Sequence, residues 1–336
     1  MSGSGYSLLW STLATTLIAS VVIGAEPGSG PLAPAQERQS FRFADDQLTI
    51  ELVASEPDVI SPVAIAWDAA GRMFVAEMSD YPNSPEKGRV RLLVDQDGDG
   101  RFERGTVFAE GLPFPNGVLP WKSGVLVTAA PDVWFLKDTD GNGVADERRK
   151  ILTGFGEGNQ QLRVNGLMWG LDNWIYGANG RSDGEVRWAD ARGAGEPALS
   201  IRGRDFRFRP DTRELEVVAG RSQFGLARDD WGNRFLSWNT IPIRHEVIPE
   251  RWLNRNRFLA ATESVYDILE PGDAGRVYPL TPPLTFNKES TSHFNALAGL
   301  TIYRGDALGA TYHHNAFAGE TLRNLGFNLE KTHQPD

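Results

Sequence analysis

A short phrase recurs along this chain: a small residue, a brief apolar strand, a turn of Asp, Gly or Asn, and a second apolar strand. It reads AIAWDAAGRMFVAE from Ala64, GVLPWKSGVLVT from Gly117, GLMWGLDNWIY from Gly166 and GLARDDWGNRFL from Gly225. A fifth, degenerate start, ALAGLTIY, stands at Ala296. The starts are 53, 49, 59 and 71 residues apart, with no helical period of comparable length between them. Short strands, turn signals and a near-regular period predict an all-β repeat architecture.

Four-stranded blades around a central channel fit a repeat of this length, and the expected fold is a six-bladed β-propeller. A β-sandwich would satisfy the strand content but not the recurrence of one phrase. The run LTIELVA, Leu48 to Ala54, is expected to pair with the last blade and close the ring. After Tyr303 about one further strand, near Ala316 to Leu329, is expected before Asp336, so the last blade reads as incomplete.

Two acidic loops interrupt the strands. DQDGDGRFE places Asp95, Asp97, Asp99 and Glu103 at loop positions 1, 3, 5 and 9, with Gly at position 6. DTDGNGVAD repeats the pattern 43 residues on with Asp138, Asp140, Asn142 and Asp146. A tight loop turns side chains 1, 3 and 5 to one point, and hard oxygen ligands suit calcium. An EF-hand is excluded, because the twelfth position is Thr106 and both flanks read as strands. The spacing resembles the calcium loops in blades of integrin-type propellers. An acidic hairpin turn without metal is the alternative.

The 336 residues carry no Cys and a formal charge of −10, which argues against nucleic acid as a partner. Seventeen Phe and ten Trp are enough to build a large core. Leu8 to Ala25 is an uncharged apolar run ahead of Glu26-Pro27. It reads as an export signal cleaved near Ala25, or as a retained N-terminal membrane anchor. The expected organisation is therefore residues 1–25 as signal or anchor, 26–40 as a flexible tether, and 41–336 as the propeller. The expected location is periplasmic or extracellular, with or without a membrane tether.

Residues just before and just after equivalent inner strands of a propeller converge on one face. Those positions give Glu77, Asn179, Trp238 and Asn239 at strand ends, and Asn116, Arg163, Asn165, Arg221, Gln223, His293 and Asn295 at strand starts. Such a funnel of Arg and carboxamides can hold a carboxylated or polyhydroxylated ligand. The same Asn and Gln can instead satisfy the backbone of neighbouring loops.

The stretches RDFRFRPD and VAGRSQFGLA, within 204–227, resemble the segment of soluble glucose/sorbosone dehydrogenases that supplies a cofactor-binding Arg. ALAGLTIYRGDALGATYHHNAF, 296–317, resembles a later blade of that superfamily. SPVAIAWDAAGRMFVAEMSDYPN, LPFPNGVLPW, NGLMWGLDNWIYGANGRSDGE and FLSWNTIPIRH are similar to membrane-bound dehydrogenase-like propeller proteins of planctomycetes. In that group the propeller accompanies a haem module carrying Cys-x-x-Cys-His.

The resemblance implies pyrroloquinoline quinone at the mouth with calcium beside it, hydride transfer from a sugar or alcohol, and electron delivery to a c-type cytochrome. Arg221 would stabilise the reduced quinone oxygen, with Asn116, Arg163, Asn165, Gln223 and Asn239 as further cofactor contacts. The general base is a departure: the dehydrogenases place a His where this chain reads Leu162-Arg163, and Arg is not a base at neutral pH. His245 and His293 are the nearest substitutes. Relatives carry a Cys pair where this chain has Ala298 and Gly319, and no Cys-x-x-Cys-His occurs. A calcium-stabilised binding module for a carbohydrate or protein, without catalysis, is the alternative function.

Overall fold

The computed structural model describes residues 30–329 except 44, 80, 86, 256–257, 259–262, 270–275, 279–292 and 322–324. The apolar run read as signal or anchor lies outside the described residues. Among those described, no helix is long and apolar enough to cross a membrane. The chain divides into two units, Met1–Ile50 and Glu51–Asp336. In the first, part of the expected tether is the short helix α1 (Pro34–Ser40), every residue of which is exposed. Pro34 presets the first helical φ, and the residues after it are mostly good helix formers.

The second unit holds five antiparallel sheets among the described residues, and each of the five phrases opens one of them. The first sheet contains β1 (Pro62–Trp67), β2 (Met73–Glu77), β3 (Arg89–Val94) and β4 (Arg104–Glu110) in sequence order. The second begins with β5 (Gly117–Trp121), β6 (Gly124–Ala129), β7 (Asp132–Lys137) and β8 (Glu147–Phe155). The third opens with β9 (Asn165–Trp169) and β10 (Ile175–Ala178). The chain then leaves it: β11 (Gly184–Trp188) and β12 (Leu199–Ser200) add to the outer edge of the second sheet, where Trp188 sits opposite Leu152. It returns as β13 (Asp205–Arg209) and β14 (Glu214–Val218). This excursion lengthens the third repeat and makes the second sheet six-stranded, which the period did not reveal.

The fourth sheet is β15 (Leu226–Arg228), β16 (Arg234–Trp238), β17 (Ile241–Glu246) and β18 (Val265–Asp267). A short helix, α2 (Glu250–Leu253), lies between its last two strands. The fifth sheet is β19 (Leu297–Ile302), β20 (Ala316–Glu320) and β21 (Leu325–Leu329), two strands where one was expected after Tyr303. Ala298 and Gly319, where the resemblance implied a Cys pair, are direct cross-strand partners.

The expected closing strand Leu48 to Ala54 does not form: the segment has no strand geometry, and Val53 O accepts the N–H of Phe102 at 3.2 Å in the first sheet's own loop. Leu52 and Val53 are both exposed, so neither face of a strand there would be buried.

What makes these sheets blade-like is the order of their neighbours. The first strands β1, β5, β9, β15 and β19 touch in succession. The approach is close enough to exclude a side chain: a Cβ on Gly166, at φ +60°, would come within 3.1 Å of Gly225 Cα. Second strands are the most buried, with every residue of β2, β6 and β10 shielded from solvent. Apolar clusters fill the gaps between successive sheets. Val90, Phe108, Val118 and Val127 join the first to the second, and Leu126, Leu152, Ile175 and Phe206 join the second to the third. Ala227, Ile243, Leu297 and Leu300 join the fourth to the fifth. The result is a mostly-β protein of radially ordered antiparallel sheets.

Candidate functional site

The starts of the first strands and the ends of the second strands open onto one cavity of about 620 Å³. That is within the usual range for small-molecule sites. Its wall carries six carboxamides, Asn116, Gln160, Gln161, Gln223, Asn239 and Asn295. Ser61, Ser79, Tyr81 and Thr321 add hydroxyls, and Met78 and Phe224 add apolar surface. No charged side chain is among the described residues lining it.

Neighbouring groups hold several of these carboxamides in place. Gln223 Nε2 donates to Asn239 Oδ1 at 2.6 Å, and its own N–H donates to Ser237 O at 3.2 Å. Asn116 donates its side-chain amide to Gln160 O at 3.2 Å, while its Oδ1 is buried without a protein partner. Gln160 and Gln161 were not singled out from sequence. The 3₁₀ turn Gln160–Leu162 raises them, with Asn159 Oδ1 accepting the N–H of Gln161 at 2.9 Å. Gln161 Nε2 then donates to Tyr81 at 2.9 Å and Gln160 Nε2 to Pro82 O at 2.9 Å, which ties the turn to the first sheet. The Asn-capped turn just ahead of a strand start was the available signal.

The structure thus brings Asn116, Gln223, Asn239 and Asn295 of the expected set to the cavity. The others are engaged elsewhere. Asn165, fully buried, donates to Arg163 O and Gln223 O at 2.9 and 2.8 Å and accepts the N–H of Gly225 at 2.8 Å. It stitches the third sheet to the fourth. Asn179 is equally committed, donating to Ile201 O and Arg204 O. Glu77 is buried between Arg89, Arg91 and the N–H of Ile60.

Arg163 donates to Glu157 O at 2.9 Å and lies over the Phe114 ring. Arg221 donates to Arg181 O at 2.8 Å and to Asp183 Oδ2 at 3.0 Å. Trp238 donates its indole N–H to Arg221 O. Neither Arg163 nor Arg221 lines the cavity.

The two His substitutes for a base are also off the wall. His245 lies on β17, stacked on Phe235 at 4.9 Å with Nε2 buried and unpartnered, and burial holds its pKa below the ordinary value. His293 pairs through its backbone with Arg276 in an isolated antiparallel β-bridge.

The acidic loops are the β3–β4 and β7–β8 hairpins, at equivalent places in consecutive sheets, as the flanking runs implied. In the first, the carboxylates of Asp95, Asp97, Asp99 and Glu103 each bring an oxygen within 4.8 Å of the others. Asp95 accepts the N–H groups of Gly98 and Gly100 at 2.6 and 2.9 Å, and the Gly100 bond leads in holding its carboxyl below the ordinary pKa. Four gathered carboxylates fit a hard dication. The second repeats the backbone bonds of the first, and adds side-chain bonds from the Thr139 hydroxyl to Asp146 and from the Asn142 amide to Asp140. Its three carboxylates do not gather in the same way.

Solved structures with similar geometry include the quinone domain of a pyranose dehydrogenase from Coprinopsis cinerea, at 14% identity and TM-score 0.38. That match covers 56% of this chain and 44% of the other, so the chain spans under half of that relative's length. A putative oxidoreductase (glucose dehydrogenase) from Thermus thermophilus matches at 16% identity and TM-score 0.41, over 78% of this chain and 76% of that one. A chain of a nidogen/laminin complex matches at 10% and 0.45, over 80% and 75%. No curated protein matches. Residues 33–333 match the family described as Domain of unknown function (DUF7133), and the chain belongs to that family.

Proposed function

We propose that the cavity binds a neutral polyhydroxylated ligand, a saccharide or polyol, and that the chain acts there as a binding module. The observation that carries this is the wall: six carboxamides and no charge among its described residues. A carboxamide sets a donor beside an acceptor, which matches neighbouring hydroxyls, each both donor and acceptor. Phe224 and Met78 offer apolar surface for the C–H faces of a sugar ring.

Pyrroloquinoline quinone is a carboxylate-bearing anion and calls for cations. Among the described residues the wall carries no cation, and Arg163 and Arg221 donate to Glu157 O, Arg181 O and Asp183 rather than into it, so the described residues do not fit the quinone. The dehydrogenase reading, with its sugar or alcohol substrate and c-type cytochrome, is the outcome against which binding is tested. The proposal keeps three further elements. The sheets belong to a six-bladed ring, as the repeat length implies. The run Leu8 to Ala25 directs export, with or without a membrane anchor. The β3–β4 hairpin holds calcium for structure.

Calorimetric titration of the full chain with a panel of mono- and disaccharides and polyols is expected to give saturable binding that Gln223→Leu removes. Folded protein that binds none of them, or that reduces dye on a sugar only with quinone and calcium, would overturn the binding reading.

A further inference from the structure

At the opposite ends of the first strands, the β15–β16 turn meets the connection between β19 and β20. Three side chains gather there: Asp230, His313 and His314, each placing a potential ligand atom within 4.8 Å of the others. His314 Nδ1 faces Asp230 Oδ2 at 3.7 Å, and Nδ1 is buried with no hydrogen-bond partner. That separation is too long for a hydrogen bond and short enough for both atoms to share a cation. A tetrahedral zinc with bonds of about 2.0–2.1 Å sets its ligand atoms roughly 3.3 Å apart.

The scaffold holds each group in place. Asp229 caps its own turn, accepting the N–H of Trp231 and of Asn233 at 3.1 and 2.8 Å, and leaves the next residue, Asp230, exposed. Arg304 takes Asp230 Oδ1 at 3.2 Å, which leaves Oδ2 toward the imidazoles. Trp231 lies against the His314 ring at 4.9 Å. The N–H of His314 is fixed on Tyr303 O, and its φ of +68° turns the chain so that two consecutive rings sit 4.0 Å apart. A bend of that sign is uncommon outside Gly.

We propose that Asp230, His313 and His314 form a site for a divalent transition metal of the zinc class, which clips the fourth sheet to the fifth. Two imidazole nitrogens and one carboxylate oxygen suit zinc rather than calcium, and a water would complete the tetrahedron.

The test is titration of the full chain with zinc chloride in excess calcium, which occupies the oxygen-only loops, followed by calorimetry and by thermal unfolding. One zinc per chain and a higher unfolding temperature are expected. Asp230→Asn, on the surface, and His314→Asn, which tolerates the same backbone bend, should each weaken binding at least tenfold. Cobalt in place of zinc should give the visible absorption of a tetrahedral complex in the wild type and lose it in both variants. Folded wild-type protein that binds no zinc would overturn the site, as would affinity unchanged in both variants.

Discussion

At the residue scale, one amide has a role that its sequence position disguised. Asn165 stands where a ligand contact was expected, yet all of its described bonds run to the chain itself. Asn165→Ala would strand the N–H of Gly225 and deprive two carbonyls of their donor, a loss of about 2–3 kcal/mol. Urea unfolding should show it as a lower midpoint at unchanged slope. His245 offers a second check. Its folded pKa is depressed by burial, so the fold favours the neutral ring. Its contribution is complete above the unfolded value of about 6.5 and is lost as pH falls through that value toward the folded one. Stability should therefore drop between neutral and mildly acidic pH, and His245→Gln should flatten that part of the profile.

At the scale of elements, the two acidic hairpins read alike and fold alike, but their carboxylates are spent differently. Both hairpins hold their ninth-position carboxylate on the N–H of the loop's second residue, but the β3–β4 hairpin gathers four carboxylates, while the β7–β8 hairpin has an Asn at its fifth position and also engages Asp146 with the Thr139 hydroxyl. Calcium should raise the unfolding temperature, and Asp97→Asn should remove most of that rise. Asp140→Asn should remove much less. A thermal melt with calcium and with chelator distinguishes the two loops, and equal effects of both variants would contradict the assignment.

At the scale of the molecule, the sheets are joined by buried polar pairs as well as by apolar contacts. Arg234 on β16 is 2% exposed and donates to Asp205 of the third sheet at 3.0 Å and to Glu246 at 2.9 Å. Asp205 also accepts the N–H and hydroxyl of Ser222, at 2.8 and 2.6 Å, and so fixes the segment that carries Arg221 and Gln223. Arg234→Met leaves Asp205 without its cation, at a cost of about 3–5 kcal/mol. The measured outcome should be a large fall in unfolding temperature, together with weaker ligand binding at the mouth in whatever fraction stays folded.

The sequence by itself determined the repeat. Each strand start at 64, 117, 166, 225 and 296 opens a sheet, because strand patterning and turn chemistry are local properties. It also located both acidic hairpins, and it named four of the six carboxamides on the wall, because strand starts converge wherever sheets stack radially. Only the tertiary structure decided how the polar residues are spent. Arg163, Arg221, Asn165 and His245 look identical in a string whether they face a ligand or the chain, and for Arg221 and Asn165 the difference rests on partners far along the sequence. The detour of β11 and β12 onto the neighbouring sheet and the meeting of Asp230 with His313 and His314 were hidden for the same reason. They depend on which sheets become neighbours, and no local pattern encodes that.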